Sequence, residues 1–195
     1  MKKLAAIICL GALATGAFAQ GVVNFGNNNS TLVTATSGGT TNSIAGSGTA
    51  LYYFGLLTGS SAAGPFTFSG LTTTNSVAAG RFVDNNAVVP GWAPGTTKFY
   101  EVAGWEGALG STFQSSWLTS HPNGLFGLSG VGNVTAGGTD ASGNSFPPLP
   151  LFGGATGIQS GFNLTPGSGV VVPEPSSMAL AGLGAAALLI FRRRK

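Results

Sequence analysis

The chain has one cysteine and one histidine in 195 residues, and charged residues make up only 7% of it. Each shortage excludes something. Cys9 lies inside an N-terminal apolar run; once that run is removed the protein has neither a disulfide nor a thiol, although an exported protein occupies a compartment that permits disulfides. His121, with no second histidine and no cysteine beside it, offers no ligand set for a transition metal and no nucleophile–base pair of the Cys–His kind. The formal charge of +3 and pI near 9.4 suggest an anionic partner at first sight, but six of the eight cations (Lys2, Lys3, Arg192, Arg193, Arg194 and Lys195) lie at the two ends. Between Gln20 and Phe191, Arg81 and Lys98 stand against Asp84, Glu101, Glu106, Asp140 and Glu174, two cations against five acids, net −3. No basic patch remains to hold nucleic acid, and no cofactor motif stands in a credible context.

What is present at the ends is distinctive. Met1-Lys2-Lys3 is a positive start and Leu4 to Ala14 an apolar core, followed by the A-x-A site Ala17-Phe18-Ala19. This predicts a secretory signal peptide over 1–19, cut by signal peptidase to leave Gln20 first. At the other end, after a linker over 167–172, come Pro173-Glu174-Pro175, an uncharged run over 176–191, and the block Arg192-Arg193-Arg194-Lys195. Each proline fixes its own φ and biases its predecessor towards extended geometry, so the tripeptide is presented as an open strand. Met178, Leu180, Leu183, Leu188, Leu189, Ile190 and Phe191 lie in the apolar part of a predicted transmembrane helix. From Met178 to Phe191 a helix spans about 21 Å, shorter than a usual spanning segment of ~20 residues. The four terminal cations fit the cytoplasmic side. The whole reads as a short, transient stop in the inner membrane with a protein-readable tag outside it.

These three parts in order resemble a PEP-CTERM sorting signal. The resemblance implies that the chain is a substrate of exosortase, a membrane-embedded cysteine transpeptidase or protease of Gram-negative bacteria. It also implies recognition at Pro173-Glu174-Pro175, removal of the apolar tail, and delivery to the cell surface or extracellular matrix.

The body, 20–166, has the length of one domain. Its abundance of Gly, Ser, Thr and Asn by itself fits a disordered chain, but compact apolar runs with β character oppose that. Val22–Phe25, Ala50–Leu57, Phe66–Phe68, Val77–Val83, Ala87–Val89, Lys98–Trp105 and Gly161–Leu164 are β-branched or aromatic and bounded by Gly, Pro, Asn or Ser. In the Lys98–Trp105 run, Lys98, Tyr100, Val102 and Gly104 share one face, and Phe99, Glu101, Ala103 and Trp105 the other. Neither face is wholly polar, which predicts a central strand. Asp84-Asn85-Asn86 predicts a hairpin turn and Pro90–Gly95 a double turn. A short helix is expected over Gly110–Thr119, where Phe113, Trp117 and Leu118 recur at helical spacing and Ser111 is a candidate cap. From Ser120 the chain is expected to loosen, with Phe146-Pro147-Pro148-Leu149-Pro150 an extended loop over the core or a docking peptide. Together these predict an all-β protein: one β-sandwich or jelly-roll-like domain.

The body also resembles a group of uncharacterised PEP-CTERM proteins common in Verrucomicrobia and their relatives. The resemblance is carried by Val23-Asn24-Phe25, the run from Gly48 to Gly59, Val89 to Thr97, Tyr100 to Glu106, and Gly110 to Phe113. It implies a compact β domain and supplies no activity.

Chemistry is sparse, and a non-enzymatic role is expected. Glu101 and Glu106 are the one conceivable carboxylate pair for glycoside hydrolysis, although the strand alternation sends them to opposite faces. Asp140-Ala141-Ser142-Gly143-Asn144 has one carboxylate and no distal Glu, so it predicts a turn rather than a calcium loop. The string Gly182-Leu183-Gly184-Ala185-Ala186-Ala187 lacks the preceding strand that a dinucleotide site requires. Asn28, Asn29, Asn133 and Asn163 begin N-x-[ST] strings. Trp92, Trp105 and Trp117, with Tyr52, Tyr53 and Tyr100, are either core fillers or the stacking rings of a carbohydrate-binding module that holds exopolysaccharide.

Overall fold

A computed structural model describes residues 20–167. The signal-peptide segment with Ala17 and Ala19, and the tail from 168 with its Pro-Glu-Pro motif, apolar run and basic end, lie outside the described residues.

Twelve strands follow one another: β1 (Gly21–Gly26), β2 (Thr34–Ser37), β3 (Thr40–Ser43), β4 (Tyr52–Gly59), β5 (Thr67–Thr74), β6 (Val83–Val89), β7 (Thr97–Glu106), β8 (Leu125–Leu128), β9 (Gly132–Thr135), β10 (Gly138–Thr139), β11 (Ser145–Phe146) and β12 (Asn163–Pro166). No described helix is long and apolar enough to cross a membrane. The large sheet runs β3-β2-β12-β8-β7-β4-β5, with β9 also paired to β7, giving eight strands; β1 and β6 form a second sheet, and β10 and β11 a small hairpin. The layers of this sandwich are therefore unequal, eight strands against two, unlike the matched sheets of a jelly roll. Isolated bridges join the layers at both sides: Asn75 pairs with Phe82 between β5 and β6, and Val22 with Gly137 between β1 and the chain beyond β9.

β7 is central because both of its faces are apolar. It pairs with the full length of β4, from Gly59↔Phe99 to Tyr52↔Glu106. On its other edge β9 covers Thr97–Tyr100 and β8 covers Ala103–Trp105. Tyr100 and Val102 enter the main core, with Val23 and Phe25 of β1, Phe54 and Leu56 of β4, Val89 of β6 and Leu164 of β12. Ala103 and Trp105 point the other way, into a second core with Leu57, Phe113 and Phe126. Gly104 is tightly packed: a Cβ there would sit 2.9 Å from the Leu164 side chain and 3.0 Å from the Phe162 ring, which would have to shift.

Several expectations need correction. Asp84-Asn85-Asn86 is not a hairpin turn, since β6 runs through it. Val23 pairs with Ala87 but Phe25 with Asp84, so β6 carries one extra residue as a bulge, and Asn86 takes the left-handed φ of 57° that the bulge requires. Val77–Val83 is not one strand; Val77 is 87% exposed, and only the Phe82 end pairs. The helix expected over Gly110–Thr119 is reduced to one 3-10 turn, Ser115–Leu118, with another, Gly107–Leu109, ahead of that span, and Ser111 caps neither. Phe113 and Trp117 do share a face, but that face lies against the second core from an irregular segment. The region after Ser120 is more ordered than its composition predicts, because β8, β9 and β12 are short strands held by β7 and by one another. The proline-rich piece is a strap: Asn24 N–H donates to Leu149 O at 3.0 Å and Leu151 N–H to Asn24 O at 3.2 Å, laying it along β1.

Candidate functional site

The three tryptophans do not form a stacking platform. Trp92 is fully buried in the main core, with Nε1 donating to Thr96 O at 2.9 Å. Trp105 is fully buried in the second core, with Nε1 donating to Gly110 O at 2.8 Å. A ring with no exposed face cannot lie on a sugar, so Trp92 and Trp105 are corrected from candidate stacking residues to core residues. Trp117 is half-buried, edge-on to Trp105 at 5.7 Å and to Phe126 at 5.9 Å. Tyr53 stacks on Trp105 at 5.8 Å, and Tyr100 is buried, its hydroxyl donating to Leu151 O. Burial pushes the Tyr100 phenol well above its usual range, so it stays a neutral donor.

Glu101 and Glu106 do not converge. They sit five positions apart on β7 and on opposite faces, about 17 Å along a strand that rises about 3.3 Å per residue, against the roughly 5 to 9.5 Å of a glycosidase pair. Glu106 spends Oε1 on Leu125 N–H at 3.0 Å. Glu101 is half-buried opposite Leu57, and burial raises its carboxyl above the ordinary value. Asp140 closes the β10–β11 hairpin: Oδ1 accepts from Ser142 N–H at 2.9 Å and Asn144 N–H at 2.8 Å, and Oδ2 from Asn144 Nδ2 at 2.9 Å. The bond from the Asn144 side chain leads the effects that hold its carboxyl below the usual range. That carboxylate is occupied by its own turn. His121 is exposed, its ring edge-on to Phe126. Among the described residues no three His, Cys, Asp or Glu side chains come together as a metal centre.

Sequence reasoning missed the buried asparagines. Asn27 donates to Thr31 O at 2.7 Å and Gly80 O at 2.8 Å and accepts from Phe82 N–H at 2.9 Å. Asn75 donates to Ala45 O and Ala50 O, both at 2.8 Å, and accepts from Tyr52 N–H at 2.9 Å. In a chain rich in surface asparagine nothing in the sequence separates these two from the rest. Arg81, one of the two body cations, lies beside the Asn27–Thr31 turn, with Nη1 donating to Asn29 Oδ1 at 2.6 Å.

The domain's last strand ends at Pro166, a few residues before the tail. Residues 171–195 match the model of the PEP-CTERM protein-sorting motif. The chain carries a PEP-CTERM sorting motif. The matched span holds Pro173-Glu174-Pro175, the apolar run and Arg192 to Lys195. The motif implies export, transient membrane anchoring through the C-terminus, and processing by exosortase. No curated protein matches the chain, and no solved structure does.

Proposed function

We propose that the protein is a non-enzymatic cell-surface or extracellular-matrix component, a sparsely charged β domain delivered through its PEP-CTERM motif. The supporting observation is the motif at 171–195 following directly on a domain that ends at Pro166. In this reading, signal peptidase cuts after Ala19 and exosortase recognises Pro173-Glu174-Pro175. The inner membrane holds the 176–191 segment only until that cut, and the β domain is the cargo. Two features of the domain support a role without catalysis: Glu106 and Asp140 are committed to backbone groups, and Glu101 faces away from Glu106. The test is the intact mass of the protein recovered from its host, with and without exosortase. The expected species starts at Gln20 and ends close to Pro173–Pro175, and the tail persists when exosortase is deleted. Recovery of a chain ending in Lys195 from the unmodified host would overturn the reading.

A second reading, a carbohydrate-binding module associated with exopolysaccharide, loses Trp92 and Trp105 as contacts. One observation still favours it: a polar groove around Arg81 whose amides and guanidinium retain unused hydrogen-bonding capacity.

A further inference from the structure

We propose that the groove around Arg81 binds a carboxylate-bearing saccharide, an acidic sugar unit within a glycan chain. The inference rests on the carbohydrate-binding reading and gives it a site and a charge class. The groove, of about 430 Å³, crosses the end of β1 between the Asn27–Thr31 turn and the strap, with the start of β6 along its side. That volume lies within the ~300–1,000 Å³ of ordinary ligand sites.

Its walls are held by hydrogen bonds, and most of its uncommitted groups are donors. Asn24 is held at both ends of its amide, Nδ2 donating to Pro148 O at 3.3 Å and Oδ1 accepting from Asn86 N–H at 3.2 Å. Asn27 is wholly committed to backbone, as described above. Asn28 uses Oδ1 on Ser30 N–H at 2.8 Å and on the Thr31 hydroxyl at 3.1 Å. Its Nδ2 has no protein acceptor among the described residues, and it rests against Gly153, where a Cβ would come within 2.2 Å. Gly153, at φ 76°, therefore keeps this wall open. Asn85 is exposed and its amide is free of protein partners among the described residues.

Arg81 supplies the charge. It is one of two cations between Gln20 and Gly167 and makes no ion pair among the described residues. Of its five N–H groups only the bond from Nη1 to Asn29 is made, and Nε is buried without a partner. Among the described residues, Nη2 and the second N–H of Nη1 are uncommitted on a residue that lines the groove, and a carboxylate accepts such a pair of donors as a charge-assisted fork. The amides of Asn28 and Asn85 suit the rest of such a ligand, because a sugar hydroxyl both donates and accepts. The half-exposed side chain of Val83 and the exposed ring of Pro150 provide apolar contact for C–H groups.

The test titrates the full-length protein in detergent with oligogalacturonate, with neutral dextran, and with acetate as a free carboxylate. Oligogalacturonate is expected to bind at least about tenfold more tightly than either comparison, and more weakly as salt is raised. Arg81→Gln and Arg81→Lys should each weaken it about tenfold or more, lysine failing because it lacks the planar fork. Asn85→Asp introduces a negative charge at an exposed position and should weaken binding similarly with an unchanged circular dichroism spectrum and melting curve, so loss of fold at Arg81 cannot imitate the result. Oligogalacturonate binding that survives both Arg81→Gln and Asn85→Asp overturns the groove and leaves carbohydrate binding standing. The same holds for binding confined to dextran. Acetate binding as tightly as the oligosaccharide overturns the saccharide class, and binding to no glycan overturns both readings.

Discussion

Asn27 and Asn75 show how a domain almost without ion chemistry fixes its loops. Each buries one amide and spends three hydrogen bonds on backbone groups, tying 27 to its own turn at 31 and to 80 and 82, and 75 to 45, 50 and 52. A buried backbone group left unpaired costs roughly 1–3 kcal/mol, so an amide that serves three of them at once cannot be replaced by an apolar side chain of similar size. Glu101 acts in the opposite direction. Burial raises its carboxyl above the ordinary 4.5, so the folded chain retains that proton at pH values where the unfolded chain has lost it. Its effect on stability is therefore most favourable below 4.5 and is lost as pH rises from there through the raised folded value. Asp140, held below its ordinary 3.8, stabilises above that value and ceases to do so only as pH falls through its lower folded value, in a separate window. Glu101→Gln should accordingly melt at a higher temperature than the parent, with a gap that widens between about pH 4.5 and pH 7. Melting curves across that range check it; a gap that is constant or narrows with pH contradicts the assignment.

Among the elements, β2 and β3 show local chemistry determining a hairpin. Ser37 pairs with Thr40 around Gly38-Gly39, whose φ values of 59° and 81° are those of a two-residue turn with both central residues left-handed. An ordinary side chain in that region costs roughly 1–2 kcal/mol, and asparagine much less. Gly39→Val should therefore lower stability by about 1–2 kcal/mol in denaturant unfolding while Gly38→Asn remains close to neutral. Space does not oppose either change, since a Cβ at Gly38 or Gly39 meets nothing within 4 Å. This hairpin went unrecognised in the sequence because its strands, Thr34–Ser37 and Thr40–Ser43, carry no apolar alternation, only threonine, serine, asparagine and one alanine. β7 was legible from its alternation, and so was its central place. The left-handed tolerance of Asn86 was also legible, but whether it served a turn or a bulge depended on the pairing of β1 with β6, which no local signal encodes.

For the whole molecule the scarcity of charge becomes a stability argument. Two cations and four acids lie between Gln20 and Gly167, and no ion pair forms among the described residues. The domain is held by two apolar cores on the two faces of one sheet and by backbone-directed amides. Screening such sparse surface charges changes little, so raising sodium chloride from about 10 mM to about 1 M should move the melting temperature by no more than about 2 °C. A fall much beyond that would reveal stabilising ion pairs.

The sequence alone determined the sorting motif, whose order of proline-glutamate-proline, apolar run and basic end is a linear pattern read without folding. It also determined the β class and the strand around β7, because alternation and propensity are local. Only the tertiary structure decided what the aromatic rings and the asparagines do. Trp92 and Trp105 have the same composition-level signature in a core as on a sugar platform, and burial is a property of what packs over them. The Arg81 groove brings together residues 24–29, 81–85 and 150–153, which are adjacent only because β1 pairs with β6 on one side and the strap on the other.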